Sequence, residues 1–438
     1  MKFIDLFAGL GGFNLALTRN GHECVFASEI DAGLRKIYLQ NHGLLPQGDI
    51  RAIKAKEVPE HDILCGGFPC QPFSKAGEQN GFKDEKSGDL FYHIIKILRL
   101  HKPTFIMLEN VANFERHDDG RTWRIAKNIL TDLGYEVDIK KLSPHWFGIP
   151  QIRERVFIVG SRKGLAHFKW PEKQLVNGDM SITSVLDRFP DDARYLSEQV
   201  VNCIDAWQLF LDNYPEDMNL PSFPIWSMEF GATYPFEEET PWKIGPEKLR
   251  KYLGSHGKSL ENLTDEELFL ALPSYARTKE DKFPDWKIRF IKQNRKLYED
   301  NKEWIDEWLP NILSFPSSFQ KFEWNCKGAE RNLTKLVLQC RASGLRAKWP
   351  TTSPSLVAMT ATQVPIITWE NRYMTPRECA RLQSMDTLRC LPEGLTSAYK
   401  ALGNALNVEI VNRIAQSLII DEKNENKTPK LEHEVEVV

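Results

Sequence analysis

The chain has 438 residues, a formal net charge of −3 and 42% hydrophobic residues, which indicates a globular protein large enough for two domains. With so small a net charge, any contact with nucleic acid must come from a local basic patch. The eight cysteines form no CxxC pair and no apolar run approaches the ~20 residues that span a bilayer. We therefore expect a cytoplasmic protein with reduced thiols, no bound metal and no membrane contact.

A strand, a glycine-rich turn and a helix are predicted at residues 2–7, 8–12 and 13–17. This order is typical of the start of a nucleotide-binding βαβ unit. As a dinucleotide fingerprint it is off-pattern, because Asn14 stands where a third glycine is expected. A second strand, residues 24–28, ends at Glu29, about 20 residues after the turn, where a carboxylate binds ribose hydroxyls. Residues 48–50 are predicted to close a third, shorter βα step.

A cysteine between two prolines follows the next strand. The apolar run 62–65 leads into Gly66 and Gly67, and Cys70 then lies between Pro69 and Pro72. Prolines stiffen a loop, and open α/β sheets place their chemistry at the carboxyl ends of their strands. Cys70 is therefore a candidate nucleophile, although a lone cysteine is more often a small buried hydrophobe.

A carboxylate ends the following strand. After a predicted helix over 90–100, the strand 104–108 runs into Glu109. Neighbouring parallel strands present their ends at one sheet edge, so Glu109 and Cys70 can lie close together there.

A helix over 122–133 and a strand near 137–139 are predicted before residues 151–160, which form a last strand with Arg153 and Arg155 two residues apart. Alternation along a strand points both arginines to one face. They belong either to a site or to a charged edge strand that resists pairing.

Beyond residue 164 the composition changes to a proline-rich and aromatic stretch. Helices are predicted near 197–212, 264–272 and 285–309, which indicates an inserted second domain. Its later part carries a basic cluster with interleaved tryptophans: Lys321, Trp324, Lys327, Arg331, Lys335, Arg341, Arg346, Lys348 and Trp349. Such a mix suits phosphate contact and base readout, and an ordinary solvated surface has the same composition.

The chain then returns to regular helical patterns. A capping-box signature predicts a helix from Thr375, and a second apolar helix follows Asn404 and continues to Leu418. The charged tail beyond residue 421 is expected to be disordered.

Taken in order, these segments resemble the motif set of the DNA (cytosine-5)-methyltransferases. The eight motifs are DLFAGLGG, EID, GDI, GGFPCQPFS, ENV, QIRERVFIVG, TPRECARLQ and GNALNV. They lie within residues 3–160 and 375–414. The resemblance implies an α/β fold: a Rossmann-like, S-adenosylmethionine-dependent methyltransferase sheet with an inserted smaller target-recognition domain. The implied boundaries are 1–170 plus 395–420 for the catalytic and cofactor-binding domain, 171–394 for the target-recognition domain and 421–438 for the tail.

The resemblance also implies roles for individual residues. The residues expected at the bound S-adenosylmethionine are Phe7, Gly9, Leu10, Gly11, Gly12, Glu29, Ile30, Asp49, Ile50, Pro69, Leu90, Asn404 and Leu406. The residues expected in the reaction are Cys70, Glu109, Arg153 and Arg155. Leu406 follows Ala405 where many members have Ser-Val, which slightly reshapes the pocket for the methionine part of the cofactor.

The implied reaction is methyl transfer to carbon 5 of a cytosine that is rotated out of double-stranded DNA. Cys70 adds to carbon 6, Glu109 acts at ring nitrogen 3, and the two arginines stabilise the developing charge. Because the chain begins directly at the first motif, we expect no regulatory domain before the catalytic one, and the chain resembles the stand-alone enzymes of bacterial or phage modification systems. We expect a monomer, with a possible cognate restriction endonuclease as partner.

Three other functions compete with this interpretation. A tRNA cytosine-5 methyltransferase would share the fold and chemistry, but that branch has a shorter insert. A catalytically inactive DNA-binding regulator would not need the complete set of reactive residues. A nicotinamide-dependent oxidoreductase is disfavoured by Asn14 and by the loop around Cys70.

Overall fold

The computed structural model describes residues 1–68, 90–174, 180–356 and 361–419. They form two compact units. Unit 1 contains the described residues of Met1–Met180 and Pro376–Val438, and unit 2 those of Ser181–Leu356 and Thr360–Thr375. In the described ranges, no helix has both the length and the apolar character needed to cross a membrane.

Unit 1 is built on a six-stranded sheet. Its elements in chain order are β1 Lys2–Leu6, α1 Gly12–Arg19, β2 Glu23–Ser28, α2 Ala32–His42, β3 Ile63–Gly67, α3 Leu90–His101, β4 Phe105–Val111, α4 Arg121–Asp132, β5 Glu136–Leu142 and β6 Arg155–Ser161. The strand order is β2-β1-β3-β4-β6-β5. The first four strands are parallel and β6 is antiparallel to both its neighbours, so the sheet is mixed.

The sheet is held by an apolar core on which α3 and α4 pack. Ile4, Leu64, Ile106 and Ile158 are fully buried on four adjacent strands, and the buried face of α3 includes Phe91. Near-continuous apolar runs are expected for strands that helices cover. The expected α/β, Rossmann-like sheet is confirmed.

Two details of unit 1 differ from the sequence expectation. Residues 48–50 do not form a strand: a single bridge joins Gln47 to Ser28, and a 3-10 turn over Ile50–Ala52 follows. The Asp49 side chain accepts the backbone N–H of Arg51, which favours this turn over a strand. The last strand starts at Arg155, so Arg153 lies in the segment before it and alternation within a strand does not orient the pair.

Unit 2 has a second six-stranded sheet and several helices. In chain order its elements are α5 Glu198–Asn213, β7 Ile225–Trp226, α6 Pro241–Ile244, α7 Pro246–Leu249, α8 Asp265–Leu270, α9 Asp285–Asp300, α10 Lys302–Trp308, β8 Lys321–Asn325, β9 Val337–Arg341, β10 Gly344–Lys348, β11 Ile366–Ile367 and β12 Arg372–Tyr373. The strand order is β12-β11-β9-β10-β8-β7. Trp207 stacks on Phe322 with ring centroids 5.0 Å apart, which fixes α5 against the sheet. The helix predicted over 285–309 is interrupted at Asn301, whose backbone is not helical.

The chain returns to unit 1 earlier than the expected boundary at residue 395. The last elements are α11 Pro376–Leu382, α12 Leu395–Asn404 and α13 Val408–Leu418. Asn407 donates to the carbonyl of Leu382 at 3.1 Å and Gln383 donates to that of Leu402 at 3.1 Å. These buried hydrogen bonds join the three helices, so the stretch after residue 376 belongs to unit 1. The tail expected to be disordered lies outside the described residues.

Candidate active site

A cavity of about 560 Å³ opens at the carboxyl ends of the parallel strands of unit 1. The sequence-predicted residues that line it are Phe7, Gly9, Leu10, Gly12, Glu29, Ile30, Asp49, Ile50, Leu90, Glu109, Arg153, Arg155, Asn404 and Leu406. Pro69 and Cys70 lie outside the described residues, which stop at Phe68 and resume at Leu90. The structure therefore brings together residues from both ends of the chain at one sheet edge.

The turn after β1 has an unusual backbone. Phe7, Gly9 and Gly11 all have positive φ, at 57°, 54° and 83°, a region that costs little only for glycine. At Gly11 a Cβ would lie 2.2 Å from the His42 ring, and at Gly12 it would lie 2.6 Å from Leu406. Gly11 is thus needed for packing on His42 and does not line the cavity, whereas Gly12 lets Leu406 form its wall.

Asn14, at the position of the absent third glycine, belongs to a buried polar cluster below the turn. Its side-chain amide donates to the Tyr38 hydroxyl at 2.8 Å, and that hydroxyl donates to Asp5 Oδ2 at 3.2 Å. Burial raises the pKa of Asp5 to about 8, although the hydrogen bonds from Tyr38 and from the Asn14 backbone oppose the shift. Asn14 therefore has a structural function.

Glu29 joins the ends of the first two strands. Its two carboxylate oxygens accept the backbone N–H groups of Gly9 and Asp31, each at 2.9 Å. A carboxylate oxygen has two lone pairs, so both oxygens can still accept a ligand hydroxyl. The next residue, Ile30, is 64% exposed at the cavity wall and offers an apolar surface to a flat ring.

The Asp49 carboxylate forms an ion pair with Arg51, two residues further along the chain. The Arg51 guanidinium donates to Asp49 Oδ2 at 2.8 Å. This hydrogen bond is the main reason why the pKa of Asp49 lies below its usual value. Ile50 is buried beside it, and Leu90 lies at the start of α3.

Glu109 lies on β4, an inner strand of the unit 1 sheet, at the edge where the cavity opens. It is 9% exposed and lies directly opposite Gly67 in the pairing of β3 and β4. Burial raises the pKa of Glu109, while the charges of Arg155 and Arg153 oppose the shift. Arg155 Nε lies 3.2 Å from Glu109 Oε1. A carboxyl with a raised pKa next to a cation is suited to proton donation or strong hydrogen bonding.

Arg153 makes contacts that its motif position does not predict. Its Nη2 donates to the carbonyl oxygens of Gly403 at 2.7 Å and Ala405 at 3.0 Å. The side chain is almost completely buried. Arg153 therefore fixes the segment that carries Asn404 and Leu406 into the cavity wall, while Arg155 contacts Glu109.

Asn110 is a cavity residue that the sequence pattern does not single out. Its side-chain amide donates to the carbonyl of Phe68 at 3.0 Å, and it is 1% exposed. This hydrogen bond fixes Phe68, the last described residue before Cys70 in the sequence. An asparagine directly after a candidate carboxylate at a strand end is the signal that points to it.

The basic residues that cluster in the sequence of the insert do not form one cluster in the structure. Arg331 donates to the carbonyls of Tyr214 and Pro215, and Lys335 forms an exposed ion pair with Glu330. The other predicted cations of strands β8–β10 share one face of the unit 2 sheet, whereas Trp324 lies opposite Ala347 on the other face. The interleaving of tryptophan with these cations in sequence is thus not preserved on the surface.

Within the described residues no group of three or more His, Cys, Asp or Glu side chains is placed to hold a metal ion. The described part of the cavity offers carboxylates, guanidinium groups, backbone N–H groups and apolar walls. These groups suit a polar organic ligand with a flat ring.

Comparisons with known proteins agree with this geometry. The family model described as C-5 cytosine-specific DNA methylase matches residues 1–228 and 236–420. The Type II methyltransferase M.HhaI of Haemophilus parahaemolyticus is 46% identical over 174 residues, which are 39% of this chain and 53% of that protein. M.MspI of Moraxella sp is 42% identical over 179 residues, 41% of this chain and 43% of that protein. The chain thus spans only about half of these two relatives.

A longer alignment and a solved structure extend the similarity. The Type II methyltransferase M.AluI of Cellulosimicrobium cellulans is 30% identical over 478 aligned positions, which cover 94% of this chain and 91% of that protein. A crystal structure described as a DNA modification methyltransferase encoded within an E. coli prophage has a TM-score of 0.51 at 19% identity, with 95% of this chain and 98% of that chain covered; at that identity it supports the fold alone. On the family match and the alignment with M.AluI, the chain belongs to the C-5 cytosine-specific DNA methylase family.

Proposed function

We propose that this protein transfers a methyl group from S-adenosylmethionine to carbon 5 of a cytosine in double-stranded DNA. The observation that carries the proposal is the pairing of Gly67 with Glu109. In this pairing β3, the strand that precedes Cys70 in the sequence, lies beside a buried carboxyl at the edge of a cavity that Glu29 also lines.

The described residues fit S-adenosylmethionine. A cavity of about 560 Å³ lies within the usual range of small-molecule sites, roughly 300–1,000 Å³. Glu29 would accept the ribose hydroxyls, and Ile30, Ile50 and Leu90 would provide apolar walls for the adenine. The N-cap residue of α1 is Gly11, which has no side chain to bond the first N–H groups of the helix, so those of Gly12 and Phe13 suit the methionine carboxylate. When bound, the cofactor would supply an electrophilic methyl group.

Cys70 would make the target carbon reactive. Carbon 5 of cytosine is a weak nucleophile, and addition of the Cys70 thiolate to carbon 6 forms an S–C6 bond and makes carbon 5 enamine-like. Methyl transfer to carbon 5 would leave the cofactor as a neutral thioether. Transfer of the carbon 5 proton to a base and cleavage of the S–C6 bond would then return the thiolate and restore the aromatic ring. The assignment of Cys70 depends on its motif and on the β3 position that precedes it.

Glu109 and Arg155 would stabilise the charge that this addition creates. Addition of the thiolate places negative charge on the ring at nitrogen 3 and oxygen 2. Because burial raises the pKa of Glu109, the carboxyl can hold a proton for nitrogen 3. Arg155, 3.2 Å from Glu109, would orient the carboxyl and stabilise the negative charge on the ring. Arg153 would act by holding the Gly403–Ala405 segment in place.

The insert supports a target-recognition function for unit 2. Cytosine carbon 5 must leave the stacked duplex to reach a cavity of this kind, which costs a few kcal/mol that protein–DNA contacts must offset. A second compact unit with its own sheet can provide such contacts. The same family relationship supports a cytoplasmic location, action as a monomer and a cognate restriction endonuclease that acts on the same site.

Bisulfite sequencing of DNA from a host that expresses the protein tests this function. We expect 5-methylcytosine at one cytosine of a recurring short sequence, absent from the same host with an empty vector. Sequencing of the tRNA in parallel tests the competing substrate. A duplex with 5-fluorocytosine at the identified position should trap a covalent protein–DNA adduct. Methylation confined to tRNA, or no adduct on the modified duplex, would contradict the proposal.

A further inference from the structure

One face of the unit 2 sheet carries an excess of cations. Arg346 lies opposite Glu323 on β8 and Gln339 on β9, and Lys348 lies two residues further along β10. Paired residues and i, i+2 residues of a strand project on the same side of a sheet. By the same rule, Lys321 and Arg341 project on this side as well. We call the four side chains of Lys321, Arg341, Arg346 and Lys348 the cationic face.

One carboxylate lies among these four cations. Arg346 Nε donates to Glu323 Oε2 at 2.6 Å. Among the residues that the structure describes, the side chains of Lys321, Arg341 and Lys348 have neither a hydrogen-bond nor an ion-pair partner. Lys321 Nζ lies 5.2 Å from the centre of the Tyr275 ring. The face therefore holds more positive charge than its own unit neutralises.

This arrangement is unfavourable for the protein alone. Burial, together with the charge of Arg346, lowers the pKa of both Arg341 and Lys348, while the Glu323 carboxylate opposes the shift. Burial also lowers the pKa of Lys321. A solvated surface lysine avoids such repulsion by extending into water, but these side chains are half-buried on adjacent strands. An anionic ligand would relieve the repulsion.

We propose that the cationic face binds the phosphodiester backbone of the DNA duplex, independently of base sequence. The inference depends on the proposed function, which supplies a polyanion as substrate. Arg346 and Lys348 are roughly 6.7 Å apart along their strand, so an extended row of charges is a more suitable ligand than a single small anion. Glu323 fixes the Arg346 guanidinium, which reduces the entropy that a phosphate contact would cost.

Charge-removing variants test the assignment. Full-length Arg341→Gln, Lys348→Gln and the double variant are compared with Lys335→Gln, which removes an exposed cation that is paired with Glu330. Affinity for a methylatable duplex and for an unrelated duplex is measured by fluorescence anisotropy over a series of salt concentrations. Cofactor affinity and melting temperature are measured for each variant as controls of folding.

We expect each single variant to weaken binding of both duplexes by a similar factor, about three- to tenfold at moderate salt. The slope of log K against log salt should fall by ~0.9 for each lost phosphate contact. Lys335→Gln should bind like the wild type. The melting temperature of the two single variants should not fall, because each removes a cation that is repelled in the folded state.

Unchanged affinity and slope in the double variant would overturn the inference while leaving DNA methylation intact. A loss limited to the methylatable duplex would overturn it too, because base readout would then explain the face. Binding of an acidic peptide in place of either duplex would have the same consequence. A wild-type protein that neither methylates nor binds DNA would instead contradict the proposed function, and this inference with it.

Discussion

In the described part of the chain, charged groups at the cavity of unit 1 have partners within their own unit, whereas most of those on the cationic face of unit 2 do not. At the cavity, Glu29 accepts two backbone N–H groups, Arg153 donates to two carbonyls and Glu109 lies beside Arg155. On the face, Arg341 and Lys348 are half-buried and partly repelled by Arg346.

The difference indicates two kinds of binding. Groups that are already fixed by their own unit can recognise a small ligand with little reorganisation. Cations that lack partners in their own unit gain most from a polyanion, whose counterion release provides affinity without exact geometry. The comparison predicts that changes at the cavity affect chemistry and cofactor binding, whereas changes on the face affect salt-dependent DNA affinity.

The largest effect is expected for Cys70→Ser. A serine hydroxyl is a much weaker nucleophile than a thiolate at neutral pH, so turnover should be lost completely. Cofactor affinity, measured by calorimetry, should remain within about twofold of the wild type because the described contacts of Glu29 and the glycine turn are unaffected. Residual methyl transfer near the wild-type rate would rule out the covalent mechanism.

Glu109→Gln should reduce the single-turnover rate by at least ~100-fold, the usual scale for a general acid or base. Glutamine cannot provide the proton that the raised pKa of Glu109 retains. In the wild type the protonated fraction falls as pH rises through this pKa, so the rate constant should decrease towards alkaline pH. The variant should lack this pH dependence, and a near-normal rate in rapid-quench measurements would remove Glu109 from the reaction.

Substitutions of Arg153 and Arg155 should affect different steps, cofactor binding for Arg153 and the reaction for Arg155. Arg153→Lys loses at least one of two hydrogen bonds to buried carbonyls, each of which contributes about 1.5–3 kcal/mol when the donor is charged. We expect its cofactor Kd to rise about tenfold with a smaller change in kcat. Arg155→Lys should instead lower kcat, because it weakens the contact with Glu109, and should leave cofactor affinity close to normal. A large fall in kcat for Arg153→Lys with an unchanged cofactor Kd would mean that Arg153 takes part in the reaction itself.

Many of the residues at the cavity edge of the sheet could be predicted from the sequence, because the end of an apolar run marks the end of a strand. An apolar run that stops at Gly67, or at Glu109, predicts both a strand and the polar end that faces the cavity, and the direct pairing of these residues confirms that expectation. The contact between Arg153 and Gly403 joins residues 250 positions apart. No local periodicity encodes such a contact, so the motif suggests the residue without its partner.

Local patterns also failed where a side chain hydrogen-bonds to the backbone of a nearby residue, as Asp49 does to Arg51 and Asn301 to Leu297. Asp49 closes a turn in place of the expected strand step, and Asn301 ends a helix that periodicity continues to residue 309. On the cationic face, the sequence predicts a basic cluster, but only the strand register separates Trp324 from Arg346. Which cations share a surface is decided by pairing between strands that the sequence does not specify.

The smallest effect on activity, and a distinctive one on stability, is expected for Asp5→Asn. Asp5 is buried below the glycine turn, and its folded-state pKa is about 8, against an ordinary value of 3.8. A carboxyl with a raised folded-state pKa binds its proton more tightly in the native protein than in the unfolded chain. Its contribution to the free energy of unfolding is therefore complete below about pH 4 and is lost as pH rises towards 8, at up to ~1.4 kcal/mol per pH unit.

Urea denaturation of the wild type and Asp5→Asn at pH 5, 6, 7 and 8 measures this contribution. The free energy of unfolding should fall with pH more steeply in the wild type than in the variant, which keeps an acceptor for the Tyr38 hydroxyl but cannot ionise. Tyr38→Phe sharpens the test, because loss of the donor that favours the ionised carboxylate should extend the decline to higher pH. Parallel pH profiles for the wild type and Asp5→Asn would mean that Asp5 is already ionised in the folded protein. The buried charges of unit 1 would then be fixed by their partners alone, without any change in protonation.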